Sequence, residues 1–584
     1  MFWFILSLMF SCQRDKATST DDSAELGFQP TVLCPGSEGC LNNDGPLAVG
    51  AASVSIVPEC YESWLDCGED GLCPGDPGYI EPDAGEGDAV WDDDYEAFLD
   101  CGCDQICPGD EGYTAPDEGE ADGDFQAIWI AGFQNGRPAS GVHDPIYARA
   151  IVFDQGDTRI GLVVVDLVGW FYGDVILTRE LLAQQGVDLD HLMVSATHNH
   201  EAPDTMGLWG KTATSGGYDP RYAAQVREAS VEAITEAIAD LQEVGEFSLG
   251  MADASTYTDN GISNLIRDSR DPKVIDPRMG GAIFKNTSGQ TIATVSHFGN
   301  HPEVLGDDNA LLTSDFPGPL RDMLETGVRY EESGYVRDGY GGTSIFINGM
   351  VGGLMTPLRV TLVDREGTEW SDYTFDKLDA YGKVLAEIAM DAIDSSTRIT
   401  DAKISVVGNR FRMPIDNFGF QAMFISGILD REVYDYDSDE IIDEDNVPSV
   451  ETEINHIKIG PLSLLTIPGE IAPELVIGGY DGAYVGDPNL NLIDDDNPNP
   501  PDLSLAPSGP YIEELVPNDT TWIVGLGNDE VGYILPEYDF ILNDTLPWFN
   551  EAEGDHYEET NSLGPQTHGY IREQIELILS VETE

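Results

Sequence analysis

Basic residues are scarce in this sequence: 28 Lys and Arg stand against 107 Asp and Glu in 584 residues, a formal net charge of -79. Lys and Arg supply a protein's affinity for phosphate backbones, so nucleic acid is excluded as a partner. Long apolar runs are missing too. Beyond the first dozen residues nothing approaches the roughly 18 consecutive apolar residues of a membrane-spanning helix. Cysteine is absent from residue 108 onward, which confines any disulfide to the N-terminal segment. Histidine is rare, nine in all, so a place where several gather is informative.

The acidic excess fits a well-solvated exported protein, and the N-terminus reads the same way. Met1 to Phe10 is an apolar run of signal-peptide length. Leu8-Met9-Phe10-Ser11-Cys12 resembles a bacterial lipobox, in which the cysteine is lipidated and becomes the new N-terminus. Gln13 after it matches the outer-membrane sorting rule. The expectation is therefore a lipoprotein held to the outer membrane or cell surface by a lipid anchor on Cys12, with a plain secretory signal as the alternative. Residues 13–33, rich in Ser, Thr and Asp, read as a tether.

Residues 34–125 form a core-poor acidic segment holding Cys34, Cys40, Cys60, Cys67, Cys73, Cys101, Cys103 and Cys107. An even set packed this closely reads as disulfides in an oxidising compartment, with the connectivity open. A repeat runs through it. Tyr61-Glu62-Ser63-Trp64-Leu65-Asp66-Cys67 leads to Cys73-Pro74-Gly75-Asp76, and thirty-four residues later Tyr95-Glu96-Ala97-Phe98-Leu99-Asp100-Cys101 leads to Cys107-Pro108-Gly109-Asp110. Cys34 to Cys40 reads as a partial third copy. Segments this loop-rich bury no core, so disulfides hold them. Calcium (Ca2+) on their Asp and Glu oxygens and an unliganded acidic spacer are the two readings of the charge; no EF-hand register fits.

From residue 126 the texture changes. Ala148 to Phe153 and Ile160 to Asp166 are apolar, β-branched runs parted by Gln155-Gly156-Asp157, a hairpin signal. Helical spacing follows at Ile176 to Ala183 and Tyr222 to Leu241. Further strands are expected at 281–284, 291–296, 344–347 and 462–467, and helices at 318–324, 374–393 and 571–579. This alternation over residues 126–584 predicts one large mixed α/β domain, a mixed sheet with helices packed on it. Two acidic, Pro- and Asn-rich stretches, 433–450 and 485–510, read as surface loops.

Four of the nine histidines lie in two short segments, Ser195-Ala196-Thr197-His198-Asn199-His200-Glu201-Ala202-Pro203-Asp204 and Ser296-His297-Phe298-Gly299-Asn300-His301-Pro302. Each segment follows an apolar run ending in a turn. His198 and His200 are two apart, so at a strand end both point the same way. His301 arrives from a second strand. A zinc hydrolase takes about three protein ligands and keeps one position open, which makes metal-dependent hydrolysis the first hypothesis. His297 on its own reads better as a hydrogen-bonded core residue. The HxHxDH pattern of the metallo-β-lactamase fold is absent, since Ala202 and Pro203 stand where Asp and His are required.

The succession Gly141-Val142-His143-Asp144-Pro145, Val165-Asp166 and Thr197-His198-Asn199-His200-Glu201-Ala202-Pro203 resembles the catalytic N-terminal domain of the neutral/alkaline non-lysosomal ceramidase family, whose middle motif is T-H-T-H-[SA]-G-P. The resemblance implies that His198 is a zinc ligand and that His200 touches substrate or stabilises the oxyanion. Asn300-His301-Pro302 matches V-H-P and implies His301 as the second zinc histidine. Pro468-Gly469-Glu470 matches P-G-E and implies Glu470 as a ligand. Gly525 to Tyr533 resembles A-N-x-Y-x-x-Y, whose last tyrosine implies Tyr533 as the fourth. His556-Tyr557-Glu558, followed by Gly564-Pro565-Gln566-Thr567, resembles R-Y-E-G…G-P-H-T and implies Tyr557 as a substrate-site residue.

Two segments depart from the family. Its G-D-x-S-P carries the nucleophilic serine; here Asn348 to Pro357 places Thr356 at that position, and the aspartate is missing. A threonine attacks when metal or base activates it, and attack by water at the zinc is the alternative. For the family arginine of N-R-S-P, the segment Asn264 to Pro272 offers Arg267, preferred here, or Arg270. The resemblance thus implies a zinc (Zn2+) amidohydrolase cleaving an N-acyl amide, with ceramide-like lipid as substrate. A catalytically degenerate, calcium-dependent surface-binding protein and a zinc hydrolase of another ester or amide are the alternatives.

Overall fold

The computed structural model describes residues 28–483, 491–516 and 519–581. Cys12 with the rest of the signal run, and the tether as far as residue 27, lie outside the described residues.

The hairpin signal at 155–157 is realised. Strands Tyr147–Gln155 and Thr158–Val165 pair antiparallel with Gln155 opposite Thr158, and Gly156 takes the positive φ (67°) that a two-residue turn demands. Seven of the eight residues of Thr158–Val165 are buried, which is what a near-continuous apolar run means: both faces are covered. One face meets a second sheet. Val49, Phe153, Leu162, Phe284 and Val295 of the first sheet interdigitate with Val406, Ile457, Leu464 and Trp522 of the other. The opposite face carries helix Pro220–Ala239, which buries Tyr222, Val226 and Ile234 against it. That helix starts where its sequence says, with Pro220 in the first turn and Asp219 accepting the Arg221 N–H. Helix Phe375–Asp394 packs on the strands Gln242–Asp253 and Arg278–Asn286, and helix Thr567–Leu579 covers the outside of the second sheet. The architecture is α/β in four layers: helix, sheet, sheet, helix. Each large apolar side chain enclosed in it contributes about 1.5–3 kcal/mol.

The first sheet has nine strands, along the path 343–348, 291–298, 278–286, 242–253, 48–55, 147–155, 158–165, 191–196, with 397–399 added on 242–253. Its middle is antiparallel, while both ends are parallel pairs. Strand Thr343–Asn348 packs near the far edge as well as its own, so the carboxyl ends of the terminal strands meet. Asn348 Nδ2 ties them, donating to Thr197 O at 2.8 Å and Asn300 O at 2.9 Å. The two histidine segments follow these strand ends directly. The second sheet orders strands 32–34, 404–414, 449–459, 462–466 and 520–524.

Sequence periodicity located 281–284, 291–296 and 344–347 inside observed strands and 462–467 one residue past the end of Leu462–Thr466, and the five expected helices are all present. It missed the second sheet as a separate layer. Strand Ala48–Ser55, which the sequence division places in the Cys-rich segment, lies between Gln242–Asp253 and Tyr147–Gln155 in the large sheet.

The repeats are structural duplicates. Cys67–Cys73 and Cys101–Cys107 are internal disulfides, Cys34–Cys40 has the same spacing, and Cys60–Cys103 crosses between copies. Asp83 accepts the Asp70 N–H at 2.7 Å, and its counterpart Asp117 accepts the Asp104 N–H at 2.8 Å. The acidic side chains of the repeats thus serve as acceptors for their own main chain.

Candidate metal centre

Strand His191–Ala196 delivers His198 and His200; strand Thr291–Phe298 delivers His301. One ring nitrogen from each of the three falls within 4.8 Å of the others. His198 itself has φ 66°, a left-handed conformation costly outside glycine. It is enforced on both sides: the Thr197 N–H bonds Val165 O, and Asn199 bonds Leu167 O with its N–H and Thr313 O with its side chain.

The tautomers of two histidines follow from their carbonyl partners. His198 Nδ1 donates to Val168 O at 2.7 Å, and His301 Nδ1 donates to Met355 O at 2.9 Å. Both Nε2 atoms therefore present lone pairs in the neutral ring, the usual preparation of a metal ligand. What they face is another acceptor. Glu470 Oε2 lies 3.3 Å from His198 Nε2 and 3.2 Å from His301 Nε2. Glu470 Oε2 and His301 Nε2 are both buried without a hydrogen-bond partner among the described residues. Acceptors turned toward one another in a buried place suit a cation between them. The donor set, imidazole nitrogens and a carboxylate, suits a divalent metal such as zinc.

Glu470 and Tyr533 are joined by register. The short parallel ladder Glu470–Ile471 with Tyr533–Ile534 pairs the two residues directly. Burial, then Glu470, pushes the Tyr533 phenol well above its ordinary value; a dication held here would reverse that preference and favour the phenolate. Burial alone would raise the Glu470 carboxyl, but His198 and His301 outweigh it and hold it below the usual carboxylate range. His200 is neutral, its imidazole driven well down by burial and then by His198 and His301. Tyr557 is half-exposed at the rim, its ring 6.2 Å from that of Tyr533.

His198, His200, Glu470, Tyr533 and Tyr557 line one pocket whose remaining walls are largely apolar: Phe171, Met206, Leu208, Trp209, Phe420, Phe424 and Leu563. Helix Phe418–Ser426 supplies both Phe420 and Phe424 from one face. Thr356 is buried and does not line this pocket. Its side chain neighbours the Glu303 carboxylate, and its Oγ1 accepts the Leu358 N–H at 2.9 Å. Arg267 is not brought in. Its main chain is committed to a bridge with Thr356, and its side chain lines a separate depression with Lys273 and Arg359. Arg270 is enclosed instead, bonded to Asp539, Glu558 and Glu559, so it anchors the segment that presents Tyr557.

Sequence reading passed over two groups. Glu303 Oε2 lies 3.4 Å from His200 Nδ1; its position two residues after His301 was the available signal. Arg137, fully buried, donates to the carbonyls of Ala131 and His200 and pairs with Glu201 at 3.4 Å. Nothing local in the sequence marks it, because its partners are main-chain oxygens.

Residues 119–352 match the family model described as neutral/alkaline non-lysosomal ceramidase, N-terminal, a stretch that includes His198, His200 and His301. Two solved structures share the fold. The neutral ceramidase from Pseudomonas aeruginosa is 14% identical at TM-score 0.54, over 93% of this chain and 76% of that one. A ceramidase complexed with C2 is 13% identical at TM-score 0.53, over 92% and 75%. No curated protein matches the chain. The resemblance read from the motifs is borne out by both the family match and the fold.

Proposed function

We propose, with the ceramidase fold and the family match over residues 119–352 as premise, that this chain is a zinc amidohydrolase. Its reaction would split the N-acyl bond of a ceramide-like lipid into a fatty acid and a long-chain amino alcohol. The observation that carries the reading is the convergence of His198 Nε2, His301 Nε2 and Glu470 Oε2 beside a pocket with apolar walls.

His198, His301, Glu470 and Tyr533 would hold the zinc, which would supply polarisation of the amide carbonyl and acidification of the attacking oxygen. The residues around it do the rest. Phe171, Phe420 and Phe424 take alkyl chain. His200, a neutral imidazole, has one N–H to give, and Tyr557 has its hydroxyl. Both are placed to donate to the carbonyl oxygen as charge develops there, each donor being worth about 3 kcal/mol. Thr356 Oγ1 attacks the carbonyl carbon and its proton passes to Glu303. The C–N bond breaks, the amine leaves with that proton, and water releases the fatty acid from the threonine ester.

One observation favours a second nucleophile. Thr356 does not line the pocket, and Glu303 stands between it and His200. Water on the His200 side of Glu303 would then attack directly, with Thr356 fixing the carboxylate.

The test is release of fatty acid from a fluorescent N-acylsphingosine by the full chain, with and without a zinc chelator. Release that stops with chelator and returns with zinc is expected. Folded, zinc-loaded protein that releases nothing would remove ceramide as the substrate. Lipidation at Cys12 and an outer-membrane or cell-surface address are proposed on the sequence reading; palmitate labelling of the wild type that is lost in Cys12→Ser is the expected result.

A further inference from the structure

Glu530 stands in the wall of the same pocket, beside Phe171, Met206 and the pair Glu470 and Tyr533. It is 4% exposed. Its Oε1 accepts the Gly532 N–H at 2.7 Å, while its Oε2 is buried and has no hydrogen-bond partner among the described residues. The neighbouring cation does not serve it. Arg431 gives Nη1 and Nη2 to Asp529 at 2.8 and 2.5 Å, and reaches Glu530 only at the main-chain carbonyl, 3.2 Å away. The fold leaves room for this side chain: a Cβ at Gly169 would lie 2.9 Å from Glu530 Cγ and 2.5 Å from Met206 Sδ. A bare carboxyl oxygen against apolar walls is costly. It persists in a pocket where an incoming group supplies the missing donor. The motif A-N-x-Y-x-x-Y has tyrosine at this position, so the carboxyl is a feature of this chain's own pocket.

We propose that Glu530 is a specificity residue whose Oε2 accepts a hydrogen bond from a hydroxyl on the amino alcohol part of the substrate. The inference rests on the amidase reading. The neighbouring walls offer alkyl contact, and the amide itself is engaged at the histidine cluster. A hydroxyl is what separates a long-chain amino alcohol from a plain alkylamine. A site built to bond that hydroxyl rejects the analogue lacking it, because the carboxyl is then left unpaired.

The zinc-loaded full chain is assayed on an N-acylsphingosine and on an N-acyl alkylamine of equal length. The wild type favours the hydroxylated substrate in kcat/KM by about 10- to 100-fold. In E530L that ratio falls toward one, and E530Q, whose amide oxygen stays on the Gly532 N–H and whose NH2 can donate to the hydroxyl oxygen, restores part of it. Both variants retain zinc. Zinc loss in E530Q would make Glu530 a metal ligand and overturn the inference. Equal losses on both substrates, the signature of a structural role, would overturn it too. Calorimetric binding of a medium-chain 2-amino alcohol against the alkylamine of the same length needs no turnover. A preference for the amino alcohol that disappears in E530L sustains the inference even where no amide is split. Hydrolysis without any hydroxyl preference sinks it and leaves the amidase reading standing, and binding of neither amine overturns it as well.

Discussion

Glu303 Oε2 lies 3.4 Å from His200 Nδ1, and the same carboxylate neighbours the Thr356 side chain. One buried acid therefore touches both the candidate nucleophile and the candidate oxyanion donor. Replacing it with Gln keeps the size and removes the proton acceptor. E303Q is expected to lose about 100-fold or more in kcat, as general-base removal does, with KM little changed and zinc retained. A loss confined to KM would show that Glu303 acts on binding alone.

Thr356→Ala separates the two nucleophiles. If Thr356 Oγ1 attacks, kcat falls by roughly a thousandfold or more and no acyl-enzyme accumulates in a burst experiment. If water attacks and Thr356 only steadies Glu303, the loss is closer to tenfold. Mass spectrometry after quenching shows which, since only the first route adds a fatty acyl group to the wild-type chain.

The metal reading is tested at Glu470, whose Oε2 is within 3.3 Å of the Nε2 atoms of both His198 and His301. E470A removes the shared acceptor, and zinc affinity should fall by about 100-fold or more, beyond the effect of an outer partner. Zinc content after dialysis measures it. Unchanged zinc in E470A would instead favour a site built from His198, His200 and His301 alone.

Some of this was legible in the sequence for physical reasons. The hairpin at 155–157 and helix Phe375–Asp394 follow from local turn chemistry and apolar spacing, and both stand where expected. His198 and His301 were legible because histidine is rare and each follows a buried strand. The second sheet was not. Strand Ile404–Pro414 carries Asn409, Arg410 and Arg412 where it is open to solvent, so its apolar signal stops halfway. Glu303, Glu530 and Arg137 stayed hidden because their meaning lies in contacts between segments far apart in the chain. Arg267 shows the reverse: a motif position with a charged side chain that the bridge to Thr356 leaves facing another depression.

Two histidines away from the site set an acid limit. Burial holds His191 and His297 each at about 4. Nε2 of His297 donates to Ile523 O at 2.7 Å, and the ring stacks on Trp522. An unfolded histidine titrates near 6.5. The folded values lie below this, so the stabilisation is complete above about pH 6.5 and is lost as pH falls toward 4. By pH 5 each group costs on the order of 2 kcal/mol. Urea midpoints at fixed zinc should drop between pH 7 and 5, and His297→Gln, which still donates to Ile523 O, should show a shallower drop. An identical slope in that variant would remove His297 from the account.

Arg179 and Glu453 pin helix Tyr172–Gln184 to the second sheet. Arg179 Nη2 meets Glu453 Oε1 at 2.8 Å and Nη1 meets Oε2 at 3.0 Å, while the Tyr172 hydroxyl adds a third bond at 3.1 Å. Burial would raise the Glu453 carboxyl, but Arg179 and then His191 outweigh it and bring it to about 2. Its folded value lies below the unfolded one, so the pair stabilises above about pH 4.5 and that contribution disappears as pH falls toward 2. R179M leaves a buried carboxylate uncompensated, which costs about 3–5 kcal/mol near neutral pH. The penalty should shrink in acid, where Glu453 protonates in the variant before it does in the wild type. R179M/E453Q should recover much of the loss, because both charges are then gone. Thermal unfolding of the three proteins at pH 7 and pH 4 checks each step, and a penalty that does not change with pH would mean that lost packing of the arginine stem, and not charge, carries the effect.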